Sequence, residues 1–166
     1  MTLEDFEKEF EGKGFSEPQK AYITAKAWKE FLEKQEDEVA EQIVYEHNFF
    51  YPKDWCGHKK GERITSGFDS CALTADQKEW DRFYALVYAE YEKRGIAQGF
   101  GKSLTYESHK IFDKACSILI DWLFEKVHAD KELEKKFPVT DLDWVKKHIG
   151  YREKFCEIAM KIKGVA

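Results

Sequence analysis

Apolar positions recur at helical spacing in four stretches of the chain. The plainest is Trp80, Phe83, Tyr84, Val87, Tyr88 and Tyr91, an i, i+3, i+4, i+7, i+8, i+11 series that lines one face of a helix. A second, Ile111, Phe112, Ala115, Cys116, Leu119, Trp122, Leu123 and Val127, forms a band broad enough to be covered on several sides. It predicts a central helix from about Ser103 or Thr105 to His128, with Trp122 in the core. A third runs from Glu17 to about Glu46 through Ala21, Ala25, Trp28, Leu32, Val39 and Ile43. Gln35 and the acidic run Glu36-Asp37-Glu38 interrupt that stripe and predict a bend or break there. The last starts at Asp141 and uses Leu142, Val145, Ile149, Cys156, Ala159 and Met160, with Gly150 weakening its middle.

Polar residues mark where these helices begin. Thr2 to Asp5, Ser16 to Gln19, Thr74 to Gln77 and Thr140 to Asp143 each set a hydroxyl three positions ahead of a side chain that can bond back to the backbone. Pro18 suits the first turn of the second helix, where its missing N–H costs nothing. Strand signals are poor: Ile43 to Tyr45 and Arg63 to Thr65 are short, and no Asn-Gly or Asp-Gly turn separates alternating runs. With no internal repeat and no low-complexity linker, the pattern predicts an all-α, single-domain bundle of five or six helices spanning residues 1–166. One long irregular loop, about 51–73, and a shorter connection from Arg94 to Ser103 complete it. Loops longer than about 12 to 15 residues in a compact domain are usually functional or disordered.

Composition narrows the class. Of the 166 residues 43% are hydrophobic and 36% charged, which fits a folded chain with a charged surface, and the 16% aromatic share leaves side chains for a contact face. The net charge is −5, and the first 50 residues alone carry −7, so binding nucleic acid directly through a basic field is not expected. No apolar run approaches the ~18 residues of a membrane span, and Met1 to Phe15 is acidic where a signal peptide is basic and then apolar. A cytoplasmic protein is expected, with Cys56, Cys71, Cys116 and Cys156 as thiols.

Three constellations invite chemistry. Cys56, His58 and Cys71 form C-x-H-x12-C, with His47 upstream as a fourth ligand, a donor set suited to zinc. The spacing departs from the C-x2-C knuckle that turns two sulfurs toward one centre. Gly101, Lys102 and Ser103 end a glycine loop as a Walker A loop ends, yet the register needs glycine where Ile96 stands. On the central helix His109, Asp113 and Cys116 fall at i, i+4 and i+7, and Glu125 with His128 makes one Glu-x-x-His, where a di-iron bundle needs two. No nucleophile elbow or metalloprotease signature is present.

Two features favour binding over catalysis. Phe49, Phe50, Tyr51 and Trp55 crowd the entry of the long loop, where aromatic side chains can anchor a partner. Glu30, Glu33, Asp37 and Glu41 line up at helical steps, interleaved with Lys26, Lys29 and Lys34. The expectation is a non-enzymatic protein-interaction or inhibitory domain without a cofactor, which uses these residues to cover a basic, nucleic-acid-binding surface of a protein partner. The alternative is a zinc-binding domain or metal-dependent enzyme built on Cys56, His58 and Cys71.

Overall fold

The computed structural model describes residues 2–96, 105–129, 132 and 142–162. The chain is all-α: among the described residues there are six α-helices, one 310 helix and no strand. The α-helices are α1 (Leu3–Glu9), α2 (Glu17–Glu46), α3 (Gln77–Lys93), α4 (Tyr106–Ala129), α5 (Leu142–Lys147) and α6 (Ile149–Met160). The 310 helix, Gly67–Ala75, precedes α3. The chain divides into two compact units, Met1–Glu30 with Glu107–Ala166, and Phe31–Tyr106. Sequence composition gives no sign of that division because the chain crosses it inside α2 and in the first turn of α4, where no linker is needed.

The first unit holds α1, the opening half of α2, α4, α5 and α6. Thr2 and Asp5 form the expected capping box on α1, and Phe6 packs edge-on against Trp28 with ring centroids 6.0 Å apart. Ser16 and Gln19 bond reciprocally at the start of α2, Gln19 Oε1 accepting from the Ser16 N–H at 3.0 Å. The Gln19 amide does more, donating to the carbonyls of Ala159 at 2.9 Å and Ile162 at 2.7 Å, so a buried side chain of α2 closes the end of α6. The core gathers Tyr22, Ala25, Phe112, Leu119, Ile120, Leu123 and neighbours from α4 to α6. Trp122 is not in it. The indole is half-buried at the edge, with the Lys126 ammonium 5.8 Å from its ring, and Ile120, outside the predicted stripe, takes a core place. The terminal helix is two helices, parted at His148, whose ψ of 104° is extended. Thr140 and Asp141 lie outside the described residues.

The second unit holds the rest of α2, the 310 helix and α3. Phe83, Val87, Tyr88 and Tyr91 are buried and Trp80 and Tyr84 packed beside them, as the stripe of α3 requires. The cap of α3 is Asp76 and not Thr74, whose hydroxyl donates to the Cys71 carbonyl at 2.7 Å within the 310 helix. The expected break in α2 is absent. Its polar interruption receives Arg94 from the end of α3: one guanidinium nitrogen donates to Gln35 Oε1 at 2.8 Å, another to Gln42 Oε1 at 2.7 Å, and Glu90 accepts from Nε at 3.2 Å. Glu38 stands 3.5 Å away.

The long loop is also more ordered than expected. Ile64 N–H donates to the Phe49 carbonyl at 2.8 Å and Tyr51 N–H to the Glu62 carbonyl at 2.9 Å, making a small antiparallel pairing with bridges Phe50 to Arg63 and Trp55 to His58. The chain then docks on α2 at Gly67. A Cβ there would lie 2.6 Å from the Glu41 nitrogen and 2.9 Å from the Ala40 carbonyl carbon, a space only glycine fits.

Candidate functional site

The backbone pairing of residues 49–51 with 62–64 sorts the aromatic cluster by side. Successive residues of an extended segment point to opposite faces, and here Phe49, Tyr51 and Ile64 go inward while Phe50 and Arg63 go outward. Phe49 meets Phe83 edge-on at 5.5 Å and lies under the Arg82 guanidinium, 3.9 Å from its ring centroid. Arg82 also donates to the Asn48 carbonyl at 2.6 Å. Tyr51 donates its hydroxyl to Asp69 at 2.9 Å, and its phenol is pushed up to about 12, first by burial and next by that bond. Phe49 and Tyr51 are thus part of the core and present nothing to a partner. Trp55 is half-buried against the same core, with the Lys53 ammonium 5.5 Å from its ring. Phe50 alone of the four stands well exposed.

The acidic row of α2 is divided as well. Glu30 belongs to the first unit and the others to the second. Glu33 is half-buried, and Asp37 and Glu41 are exposed. Glu41 is engaged: its carboxylate accepts the Gly67 N–H at 2.5 Å, meeting an unpaired donor at the start of the 310 helix. Its role is to fasten the loop.

Two exposed aromatics were not among the residues singled out from the sequence. Tyr45 is 83% and Phe68 88% exposed, beside Phe50 at 50%. The hydrogen bonding places them around the C-terminal end of α2. Arg63, bridged to Phe50, brings its guanidinium 3.5 Å from the Tyr45 carbonyl, where a cation meets the negative end of the helix dipole. Glu41, one turn before Tyr45, holds Gly67 and so sets Phe68 on the same end of the helix. The signal for Tyr45 was its offset from the Val39 and Ile43 stripe; Phe68 has only its place after a glycine.

The proposed metal ligands do not assemble. Among the described residues no three His, Cys, Asp or Glu side chains converge as a metal site. Cys56 sits exposed at a turn with φ 42°, next to Gly57 at φ 86°. Cys71 is exposed on the 310 helix with its sulfur 3.5 Å from the Phe68 carbonyl. His58 stacks on Tyr51, centroids 4.6 Å apart, and turns Nδ1 to Glu62 at 3.1 Å and Nε2 toward Asp69 at 3.9 Å. His47 is half-buried at the end of α2. The bridge from Trp55 to His58 causes the separation, since it puts Cys56 at the tip of a turn and His58 back against the core.

Of the remaining candidates, Gly101, Lys102, Ser103 and the side chain of His128 lie outside the described residues. Asp113 pairs with Arg152 at 3.1 Å, and Cys116 is buried beneath it on α4. The first unit also carries a groove of about 490 Å³ between α1, α2 and α4, floored by Ala21, Ala25 and Ala115. Lys20 and Lys114 face Glu7 and Glu17 along its rim, which leaves it without a net charge to select a charged ligand.

Family models, curated proteins and solved structures offer no match to this chain. The functional reading therefore rests on the surface of the second unit.

Proposed function

We propose that the protein binds another protein through the aromatic face at the end of α2, with Tyr45, Phe50 and Phe68 as anchors. The observation that carries this reading is their exposure, 83%, 50% and 88%, in a unit that buries Phe49, Tyr51, Phe83, Tyr88 and Tyr91. Aromatic side chains with an arginine among them are the composition of interface hot spots, and their exposure costs solvation free energy that a partner would relieve. Arg63 supplies the guanidinium. Asp37, Glu46 and Glu62 are exposed carboxylates of the same unit and, with six acidic side chains against one basic over residues 31–50, favour a basic partner. An inhibitor that covers a basic, nucleic-acid-binding surface fits this chemistry: aromatic anchors hold the complex while carboxylates compete with phosphate.

The test begins with a photo-crosslinking residue placed at Phe68, which should capture a basic protein from the native host. Binding of that purified protein should then weaken by ~2 kcal/mol or more in Tyr45→Ala/Phe68→Ala, mainly through faster dissociation. Asp37→Lys should slow association and flatten its salt dependence, and added duplex DNA should compete with binding. Unchanged affinity in the folded double variant would move the interface elsewhere. Affinity lost without DNA competition would leave protein binding standing and remove the inhibitor version.

A further inference from the structure

Buried in the first unit, Cys116 of α4 and Cys156 of α6 face one another at 2% and 0% exposure. The Cys156 thiol donates to the Cys116 carbonyl oxygen, with sulfur and oxygen 4.0 Å apart, which brings the two cysteine side chains of α4 and α6 together in the core. The Cys156 side chain beside it holds Cys116 below the usual thiol value against the opposing effect of burial, with the charges of Arg152 and Lys29 assisting and that of Asp113 resisting. Cys156 is pushed up by its Cys116 neighbour and by burial. The surroundings are built for a negative sulfur. Arg152 bonds Asp113 through Nη1, but its buried Nε has no hydrogen-bond partner among the described residues, a desolvated donor beside the pair. Burial pushes the nearby Tyr22 phenol up, and the Glu153 carboxylate also acts on Cys156.

We propose that Cys116 and Cys156 are a reversible dithiol–disulfide pair, a staple between α4 and α6 that closes under hydrogen peroxide and opens under a dithiol reductant. The Cys116 thiolate attacks one peroxide oxygen, the O–O bond breaks, and the departing hydroxide takes up a proton to leave as water with Cys116 as the sulfenic acid. Cys156 then attacks that sulfur, losing its proton as the S–O bond breaks and a second water departs. Two electrons pass from the sulfur pair to peroxide. Cys56 and Cys71 are exposed and take no part.

The experiment uses the full chain with C56S/C71S, so that only the buried thiols report. After peroxide, acid quench, denaturation and alkylation, the protein should be lighter by two hydrogens and take no alkyl group, whereas the untreated protein takes two. A peptide linking Cys116 to Cys156 should appear on digestion, dithiothreitol should restore both alkylation sites, and the oxidised form should melt higher, since the bond closes a loop of 40 positions. In the C156S version of that protein, dimedone should trap Cys116 as its sulfenic acid. Two thiols still alkylated after a dose that oxidises Cys56 and Cys71 in the unsubstituted protein would overturn the proposal. So would sulfinic acid without a cross-link, bonds formed only between molecules, or a linked form that melts lower.

Discussion

Gln19 shows how one polar side chain can fix two helix ends. It caps the start of α2 with its oxygen and closes the last carbonyls of α6 with its nitrogen, while itself 3% exposed. Gln19→Leu keeps the volume and strands those carbonyls in an apolar setting, so it should lower stability by about 1–3 kcal/mol in urea unfolding. Gly67→Ala tests a different contact. Its methyl would meet backbone atoms of α2 that cannot swing aside, and a cost of about 1–3 kcal/mol is expected, with the 310 helix loosened and amide exchange faster from Ser66 to Leu73. In the core of the first unit, Leu119→Ala and Leu123→Ala should each cost about 2–5 kcal/mol. Trp122→Ala should cost less than either, because its indole borders solvent.

At the scale of elements, the helices were largely legible because each buries a continuous apolar stripe, and a stripe survives reading without partners. What failed were inferences from polar residues. Gln35 and the run Glu36-Asp37-Glu38 read as a weak point in α2, yet Gln35 and Glu38, with Gln42, are where Arg94 attaches, and that arginine stands more than 50 positions away in the chain. Thr74 read as a cap because the 310 helix that consumes it has no periodic signature of its own. The candidate site was half legible. Crowding at 49–55 marked a segment rich in aromatic side chains, but only pairing with 62–64 decides that Phe49 and Tyr51 go in and Phe50 goes out. Arg94→Met removes the clamp while keeping the stem of the side chain. It should leave α2 helical in isolation from solvent effects at its ends but cost about 1.5–3 kcal/mol in the second unit, read as faster amide exchange over residues 35–42.

For the whole molecule, buried phenols set an alkaline limit. Tyr51 keeps its proton up to about 12 in the folded chain, above the ordinary tyrosine value of 10.0, and burial also raises Tyr22 and Tyr91. A raised folded value means that the neutral form favours the fold. The contribution is therefore complete below pH ~10 and is lost as the pH climbs toward and past about 12. Tyrosinate absorbance should show a late stage, in which Tyr22, Tyr51 and Tyr91 ionise together with loss of helical circular dichroism. A single smooth titration with helicity intact would contradict the burial.

The division of the chain also sets an order of events during synthesis. The second unit, Phe31–Tyr106, lies wholly within the span that interrupts the first, whose two parts are Met1–Glu30 and Glu107–Ala166. A ribosome adding about 5–20 residues per second needs roughly 3 to 12 s to make residues 107–166. Through that interval the second unit has its full complement of contacts, while Tyr22 and Ala25 wait for α4 and α6 to emerge. A nascent chain stalled with Tyr106 outside the exit tunnel should already protect Phe83 and Tyr91 from proteolysis. The stretch around Tyr22 should stay cleavable until α6 emerges, which makes the opening half of α2 a part of this protein that needs a chaperone.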